Sequence, residues 1–263
     1  MSRHVARRRF GQHFLVDRAV IDAIVDAIRP QRQDAMVEIG PGLEALTAPL
    51  AAALAHLDVI EIDRDIVARL RRSYAAEHVS VHAGDVLEFD FTTLPQDLRV
   101  VGNLPYNIST PLLFHLARYA ERIRDMHFML QKEVVERMVA SPGGRDYGRL
   151  SVMLQYRFEM ESLLPVAPAA FSPPPQVESA VVRMLPRAPA ELAAASEAAL
   201  ALVVTRAFAQ RRKTLRNALA GLLLAEDYAA LGIEPGLRAE NLAVADFVSI
   251  SNYLLRNGKS PVA

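Results

Sequence analysis

The chain has 263 residues, with 30 Lys and Arg set against 30 Asp and Glu, and no cysteine. That length allows one large domain or a core with an appendage, and a hydrophobic content of 51% excludes wholesale disorder. Without cysteine there is no disulfide, thiolate metal site or Cys nucleophile, and zero net charge speaks against an indiscriminately basic nucleic-acid binder.

AMVEIG (35–40) is a short apolar run stopped by glycine, the signature of a buried strand. Residues 45–56 are rich in Ala and Leu and read as helix, with Pro49 confined to its first turn. LDVIEID (57–63) is a second strand, and 65–76 a second helix with Ile66, Leu70 and Tyr74 on one face. VSVHAGD (79–85) and LRVVGN (98–103) are further strands. A helix over 110–121, a strand over 126–131 and a helix over 132–140 continue the pattern. Such alternation implies a parallel sheet with helices on both faces, whose ligands sit at the carboxyl ends of the strands. After a polar loop, SPGGRDYG, residues 148–157 read as helix, and 158–166 and 177–185 as extended chain around AAFSPPPQ. From about 188 the chain is helix-patterned. The division expected is 1–187 for an α/β domain and 188–263 for a small all-helical one.

Glu38-Ile39-Gly40-Pro41-Gly42 places a glycine turn directly after a strand, where backbone can approach a ligand closely. Alone, such a turn is as well explained by local geometry. Glu61 ends the second strand about 20 residues after Gly40, where nucleoside binders set a carboxylate to accept from ribose hydroxyls. Asp85 closes the third strand and is suited to accept from an adenine amino group, although Gly-Asp is also ordinary turn chemistry. NAD and S-adenosylmethionine both fit these features, but Ala45 breaks the GxGxxG spacing of a dinucleotide site.

Asn103-Leu104-Pro105-Tyr106, at the end of the fourth strand, carries the most specific chemistry. The lone pair of an exocyclic adenine nitrogen is delocalised into the ring. An Asn oxygen and a backbone carbonyl, each accepting one N–H, draw that nitrogen towards tetrahedral geometry. Pro105 fixes the backbone, and Tyr106 offers a face for an extruded base.

With these residues in place, the chain resembles the ribosomal RNA adenine dimethyltransferase family, the bacterial dimethyladenosine transferases linked to kasugamycin sensitivity. The blocks are FGQHFL (10–15), EIGPG (38–42), VIEIDRD (59–65), GNLPYNIST (102–110), MLQKEV (129–134), YGRLSV (147–152), AFSPPPQVESAVVR (170–183), FAQRRKTLRN (208–217) and RAENL (238–242). They span essentially the whole chain in the family's order. The resemblance implies a Rossmann-like methyltransferase domain with a small helical domain. It implies that His13 and Leu15 help cover S-adenosylmethionine, that Gly40 and Gly42 approach its methionine portion, that Glu61 holds the ribose and that Asp85 binds the adenine. Asn103 to Tyr106 would hold the target amine, Asn103 also bordering the cofactor, and Phe171 would stack on the base. The implied substrate is two adjacent adenosines in a hairpin loop near the 3′ end of small-subunit rRNA, each methylated twice, with a role in subunit maturation. One position departs from the family as we know it: Glu44 stands where Gly or Ala is usual, and solvent exposure in the first helical turn is its simplest reading.

Two acid-free basic segments suit RNA phosphate. Arg7 and Arg8 lie in the first, with Arg3 and Arg9; Arg206, Arg211, Arg212, Lys213 and Arg216 form the second. On one continuous helix, 212 and 216 would share a face, and 206 and 213 another. The seven histidines show no metal-binding spacing, so no metal is expected. No apolar stretch approaches the ~18 residues of a spanning helix. The chain also begins without a signal peptide's apolar run, so a cytoplasmic protein is expected. Monomer is the default, and an immature small ribosomal subunit is the partner that the resemblance implies. A resistance-type methyltransferase of large-subunit rRNA, a DNA adenine methyltransferase and a non-catalytic assembly checkpoint stay open as alternatives. RRKTLRN and RAENL weigh against the first, the absence of a separate target-recognition domain against the second, and intact Asn103 and Tyr106 against the third.

Overall fold

A computed structural model describes residues 13–210 and 212–259. Arg7, Arg8 and Arg211 lie outside these residues.

The chain separates into two compact units. The first runs to Val135 and resumes over Glu159–Pro186; the second comprises Glu136–Phe158 and everything from Arg187 onward. A single boundary at 187/188 therefore does not describe the molecule. Residues 136–158 go with the helical unit because Tyr147, Val152 and Tyr156 bury their side chains with Leu200, Val203, Phe247 and Leu254.

The first unit opens with strand β1 (Phe14–Leu15) and helix α1 (Arg18–Ile28). Then come β2 (Met36–Ile39), α2 (Thr47–Ala53), β3 (Leu57–Glu61), α3 (Arg64–Ser73) and β4 (Val79–Ala83). Next are β5 (Leu98–Asn103), α4 (Ser109–Ala117), β6 (Ile123–Gln131) and α5 (Lys132–Val139), whose residues from Glu136 on belong to the second unit. After α6 (Arg149–Arg157), which belongs to the second unit, β7 (Phe158–Val166), β8 (Phe171–Ser172) and β9 (Ser179–Pro186) follow.

The seven-stranded sheet has the order β4-β3-β2-β5-β6-β9-β7. From β4 to β6 every pairing is parallel, while β9 runs antiparallel to β6. The parallel part agrees with the alternating pattern of the sequence; the antiparallel strand is an addition to it. The chain winds from β2 outward to β4 and then returns to place β5 on the other side of β2. That reversal leaves a crevice at the carboxyl ends of β2 and β5, where open α/β sheets bind ligands. β2 and β5 approach so closely there that a Cβ at position 102 would lie 2.5 Å from the Ile39 carbonyl oxygen, so Gly102 is required. Below the sheet's opposite end, buried Arg99 spans Asp125 (Nε to Oδ1, 3.0 Å), Asp34 (Nη1 to Oδ2, 2.7 Å) and the Ile28 carbonyl (2.5 Å), tying α1 to β5 and β6.

The second unit is helical, built on α6, α7 (Glu197–Phe208), α8 (Leu215–Ala218), α9 (Ala225–Leu231) and α10 (Val244–Arg256). Ser196 caps α7 by accepting from the Ala199 N–H at 3.3 Å. Asp227 gathers the Tyr253 hydroxyl (2.7 Å) and Lys259 Nζ (2.5 Å). Among the described residues, no helix is long and apolar enough to cross a membrane.

Candidate functional site

The ends of β2, β3 and β5, with β1 beside them, enclose a cleft of about 1160 Å³, its open mouth included. Its walls bring together His13, Leu15, Gly40, Gly42, Glu61, Asp85, Asn103, Leu104, Pro105 and Tyr106, residues drawn from the whole first half of the chain. Phe171 is not among them.

The loop after β2 turns through left-handed backbone at Gly40 (φ +67°), Gly42 (φ +55°) and Glu44 (φ +71°). At Gly42 a Cβ would also come within 3.1 Å of the Phe14 ring, so β1 packs onto a position only glycine can fill. The Gly40 N–H is bonded to the Ile60 carbonyl at 3.0 Å, so Gly40 offers the cleft bare backbone surface rather than a donor. Glu44 corrects the expectation of a solvent-facing helical residue. It precedes α2, its side chain is only 13% exposed, and it accepts from Arg69 Nε at 2.6 Å and from the Tyr74 hydroxyl at 3.3 Å. Its carboxylate is drawn to α3, and it does not line the cleft. Burial, then the Glu44 charge, pushes the Tyr74 phenol up to about 12, which keeps it a donor.

Three carboxyl groups border the cleft. Glu61 is buried and accepts from the Asp63 N–H at 2.7 Å; burial raises its pKa, while that hydrogen bond restrains the rise. Asp85 accepts from the Leu87 N–H at 2.9 Å, an Asx turn that fixes the carboxylate at the end of β4. Glu38, on β2, is fully buried and its Oε2 has no partner.

Asn103 ends β5 with its amide oriented by a neighbour: Nδ2 donates to the His13 carbonyl at 3.1 Å. With the donor end held, Oδ1 is left to accept. Leu104 N–H binds the Met129 carbonyl at 3.2 Å, and the Pro105 carbonyl accepts from Ile108 N–H at 3.2 Å. Tyr106 is anchored at both ends. Its hydroxyl shares a 2.7 Å hydrogen bond with Ser179 Oγ of β9, and its ring stacks on His13, centroids 5.8 Å apart at 26°. Burial raises the Tyr106 pKa.

The structure departs from the sequence reading at Phe171. This ring is 4% exposed and packs in the core with Leu15 and Val181, on the short antiparallel pair β1–β8 that registers Leu15 with Phe171. A ring committed to that core presents no stacking face to the cleft. The basic segment departs too. Arg206 sits in the last turn of α7, which stops at Phe208; Arg212 and Lys213 lie in the following turn and Arg216 on α8. The single helix fails because Thr214 bridges to Arg238 and the Leu215 N–H binds the Leu237 carbonyl at 2.7 Å. All four cations are exposed. No local signal marks Ser179 as the partner of Tyr106, since it reaches the site from a distant segment. Glu38, in contrast, was visible as an acid inside an otherwise apolar strand. Among the described residues no cluster of His, Asp and Glu is arranged to hold a metal.

Comparison with known proteins gives the same assignment along the full length. The family described as ribosomal RNA adenine dimethylase matches residues 3–256. The chain is 64% identical over 251 residues to the Ribosomal RNA small subunit methyltransferase A of Thiobacillus denitrificans, covering 95% of this chain and 98% of that one. It is 60% identical over 263 residues to the protein of the same name from Aromatoleum aromaticum, covering 100% and 98%. Among solved structures, a dimethyladenosine transferase from Plasmodium falciparum shares the fold with a TM-score of 0.80 at 24% identity, over 94% of this chain and 98% of that one. The 23S rRNA methyltransferase ErmE superposes with a TM-score of 0.71 at 25% identity, over 92% and 99%. With a family match over nearly every residue and relatives above half identity, the chain belongs to the ribosomal RNA adenine dimethylase family.

Proposed function

We propose that the chain transfers methyl groups from S-adenosylmethionine to the N6 amines of two adjacent adenosines in a hairpin loop near the 3′ end of small-subunit rRNA. The observation that carries this reading is the Asn103 amide, held by its donor end on the His13 carbonyl with its acceptor end free beside the cleft.

The cleft fits the methyl donor on its own chemistry. Bare glycine backbone lines one wall, the fixed carboxylates Glu61 and Asp85 stand where ribose hydroxyls and an adenine amine need acceptors, and an unpaired Glu38 oxygen faces a ligand that carries positive charge. When bound, S-adenosylmethionine supplies an electrophilic methyl group on a sulfonium. Gly40 and Gly42 would admit its methionine portion, with His13 and Leu15 over it.

The chain's own residues then act on the target amine. Asn103 Oδ1 accepts one of its N–H bonds. The Leu104 carbonyl accepts the other, since that of Pro105 is engaged by Ile108. Two acceptors at that nitrogen localise its lone pair and stabilise the positive charge it gains on methylation. Catalysis is thus by positioning, without a general base in the methylation itself. Tyr106, tied to Ser179, holds one side of the base pocket. Arg206, Arg212, Lys213 and Arg216 would meet RNA phosphates, and Arg7, Arg8 and Arg211 would add to them. The substrate particle in this reading is an immature small subunit, the enzyme a cytoplasmic monomer that uses no metal.

Tritiated methyl transfer to small subunits lacking the modification, with large subunits and DNA as controls, tests the proposal. Incorporation confined to small-subunit adenosines is expected. Asn103→Ala should abolish turnover while weakening donor binding only modestly; methylation retained in that variant overturns the mechanism.

A further inference from the structure

Glu38 takes part in no step above. It lies on β2, is 1% exposed, lines the cleft and leaves Oε2 unpaired. The groups facing it offer no compensating charge. Glu61 approaches from β3, Glu44 from the loop after β2, and Tyr74 from the end of α3. From α2 it meets the buried Thr47 hydroxyl, which can donate to the carboxylate and favours its charged form. Arg69 of α3 is the cation of the group, and it is bound to Glu44 at 2.6 Å. Burial, reinforced by the charges of Glu61 and Glu44 and only partly offset by the Thr47 hydroxyl, pushes the Glu38 carboxyl up to about 8.

A buried carboxyl group whose surroundings offer a hydroxyl but no counter-charge, set in the wall of a binding cleft, stays neutral until a cation enters. We infer that Glu38 stands as a neutral acid in the free enzyme, gives its proton to solvent when the cationic methyl donor fills the cleft, and takes one back once transfer has left a neutral thioether. The inference rests on the function proposed above. Its balance is simple: the Glu38 O–H bond breaks, the proton goes to buffer, and the carboxylate pairs with a ligand carrying one positive charge more than its demethylated product. After transfer that extra charge is gone, the carboxylate is again buried unpaired, and reprotonation restores the free-enzyme state.

Donor binding is therefore proton-linked and product binding is not. Donor affinity should rise about tenfold per pH unit on approaching pH 8 and level above it, while product affinity stays flat. High pH then favours donor over product, a discrimination the cleft's shape alone does not supply.

Isothermal titration of the whole chain at pH 7, in buffers of different ionisation enthalpy, counts the protons released. S-adenosylmethionine should release about 0.9 proton and S-adenosylhomocysteine close to none. Glu38→Gln, which keeps the shape of the neutral acid, should abolish the donor's release and leave product binding unchanged. Glu44→Ala, which removes a neighbouring negative charge, should lower the pH at which donor affinity levels off. Equal release by donor and product overturns the inference. So does undiminished release in Glu38→Gln, which would assign the proton to Glu61. A chain that binds no donor at any pH overturns the proposed function itself, a result separable from binding without proton release.

Discussion

Asn103 is oriented by a residue ninety positions away in sequence: its Nδ2 donates to the carbonyl oxygen of His13 at 3.1 Å. An amide is nearly symmetric in shape, and without a partner at one end either oxygen or nitrogen could face the target amine. The His13 carbonyl accepts only, so it selects the orientation that leaves an acceptor in the cleft. Asn103→Asp tests this. Aspartate cannot donate to that carbonyl and would face it with like partial charge, so kcat should fall by about 10²–10³, with donor affinity changed far less. Single-turnover kinetics beside a donor titration separates the two, and a kcat within twofold of the parent would refute the assignment.

Ser179 supports Tyr106 from β9, its hydroxyl 2.7 Å from the phenol oxygen and fully buried. Ser179→Ala removes one hydrogen bond and should lower stability by about 1 kcal/mol. It should also reduce kcat/KM for RNA without moving donor affinity, because the ring loses an anchor while the cofactor wall is untouched. Urea unfolding and steady-state kinetics on the same preparation check both, and a loss confined to stability would make Ser179 merely structural.

Glu44 sits at φ +71°, a conformation that costs a residue with a Cβ about 1–2 kcal/mol. Its side-chain ties to Arg69 and Tyr74 offset part of that, though the half-exposed arginine limits the ion pair to about 0–1 kcal/mol. The two effects separate by substitution. Glu44→Ala keeps the strain and loses the ties, so it should be the less stable variant; Glu44→Gly loses both and should lie within about 0.5 kcal/mol of the parent. Chemical denaturation that ranks alanine at or above glycine would exclude backbone strain at this position.

His127 on β6 is buried with neither ring nitrogen hydrogen-bonded, and burial lowers its pKa to about 4 despite Asp125 Oδ1 at 3.8 Å. Arg99 and Arg183 oppose its protonation as well. The unfolded chain, with an ordinary histidine near 6.5, binds this proton first as pH falls. Stability should therefore be lost between about pH 6.5 and 4, by up to about 3 kcal/mol. His127→Leu should flatten that part of the curve. Equal acid sensitivity in the variant would place the effect elsewhere.

Arg212 and Lys213 occupy an exposed turn rather than a helix face. Reversing both charges should weaken binding to small-subunit rRNA and shift the slope of log affinity against log salt by about 0.7–0.9 per lost phosphate contact. Fluorescence anisotropy across a salt series reads this directly, and an unchanged slope would remove these residues from the interface.

What the sequence made legible was local. The strand 98–103 matches the observed element because Leu98, Val100 and Val101 form a short, largely β-branched apolar core bounded by Gly102, and 158–166 matches as extended chain that Pro165 keeps from being helix. The cleft acids Glu61 and Asp85 were found because strand ends in an alternating α/β pattern are predictable positions. What escaped depends on long-range pairing. Nothing near Phe171 tells that it will lie opposite Leu15 in a two-residue ladder, so its ring was read as a base platform instead of core. The break after Phe208 arises from Thr214 meeting Arg238, a contact that helix propensity cannot anticipate. Helix α1, in contrast, carries a local signal: Asp17 caps it, and Ile21, Ile24 and Ile28 recur at helical spacing.

The assignment of residues 136–158 to the helical unit has a practical meaning for anyone dissecting the chain. A fragment ending at 187 would carry Tyr147, Val152 and Tyr156 without the Leu200, Phe247 and Leu254 that cover them, leaving an oily surface in search of a partner. The complementary fragment would lack three of its own core side chains. Because each unit is built from two separate stretches of the chain, three connections must be cut, near 135, 158 and 186, and the two pieces of each unit rejoined, before either half exists as nature folds it.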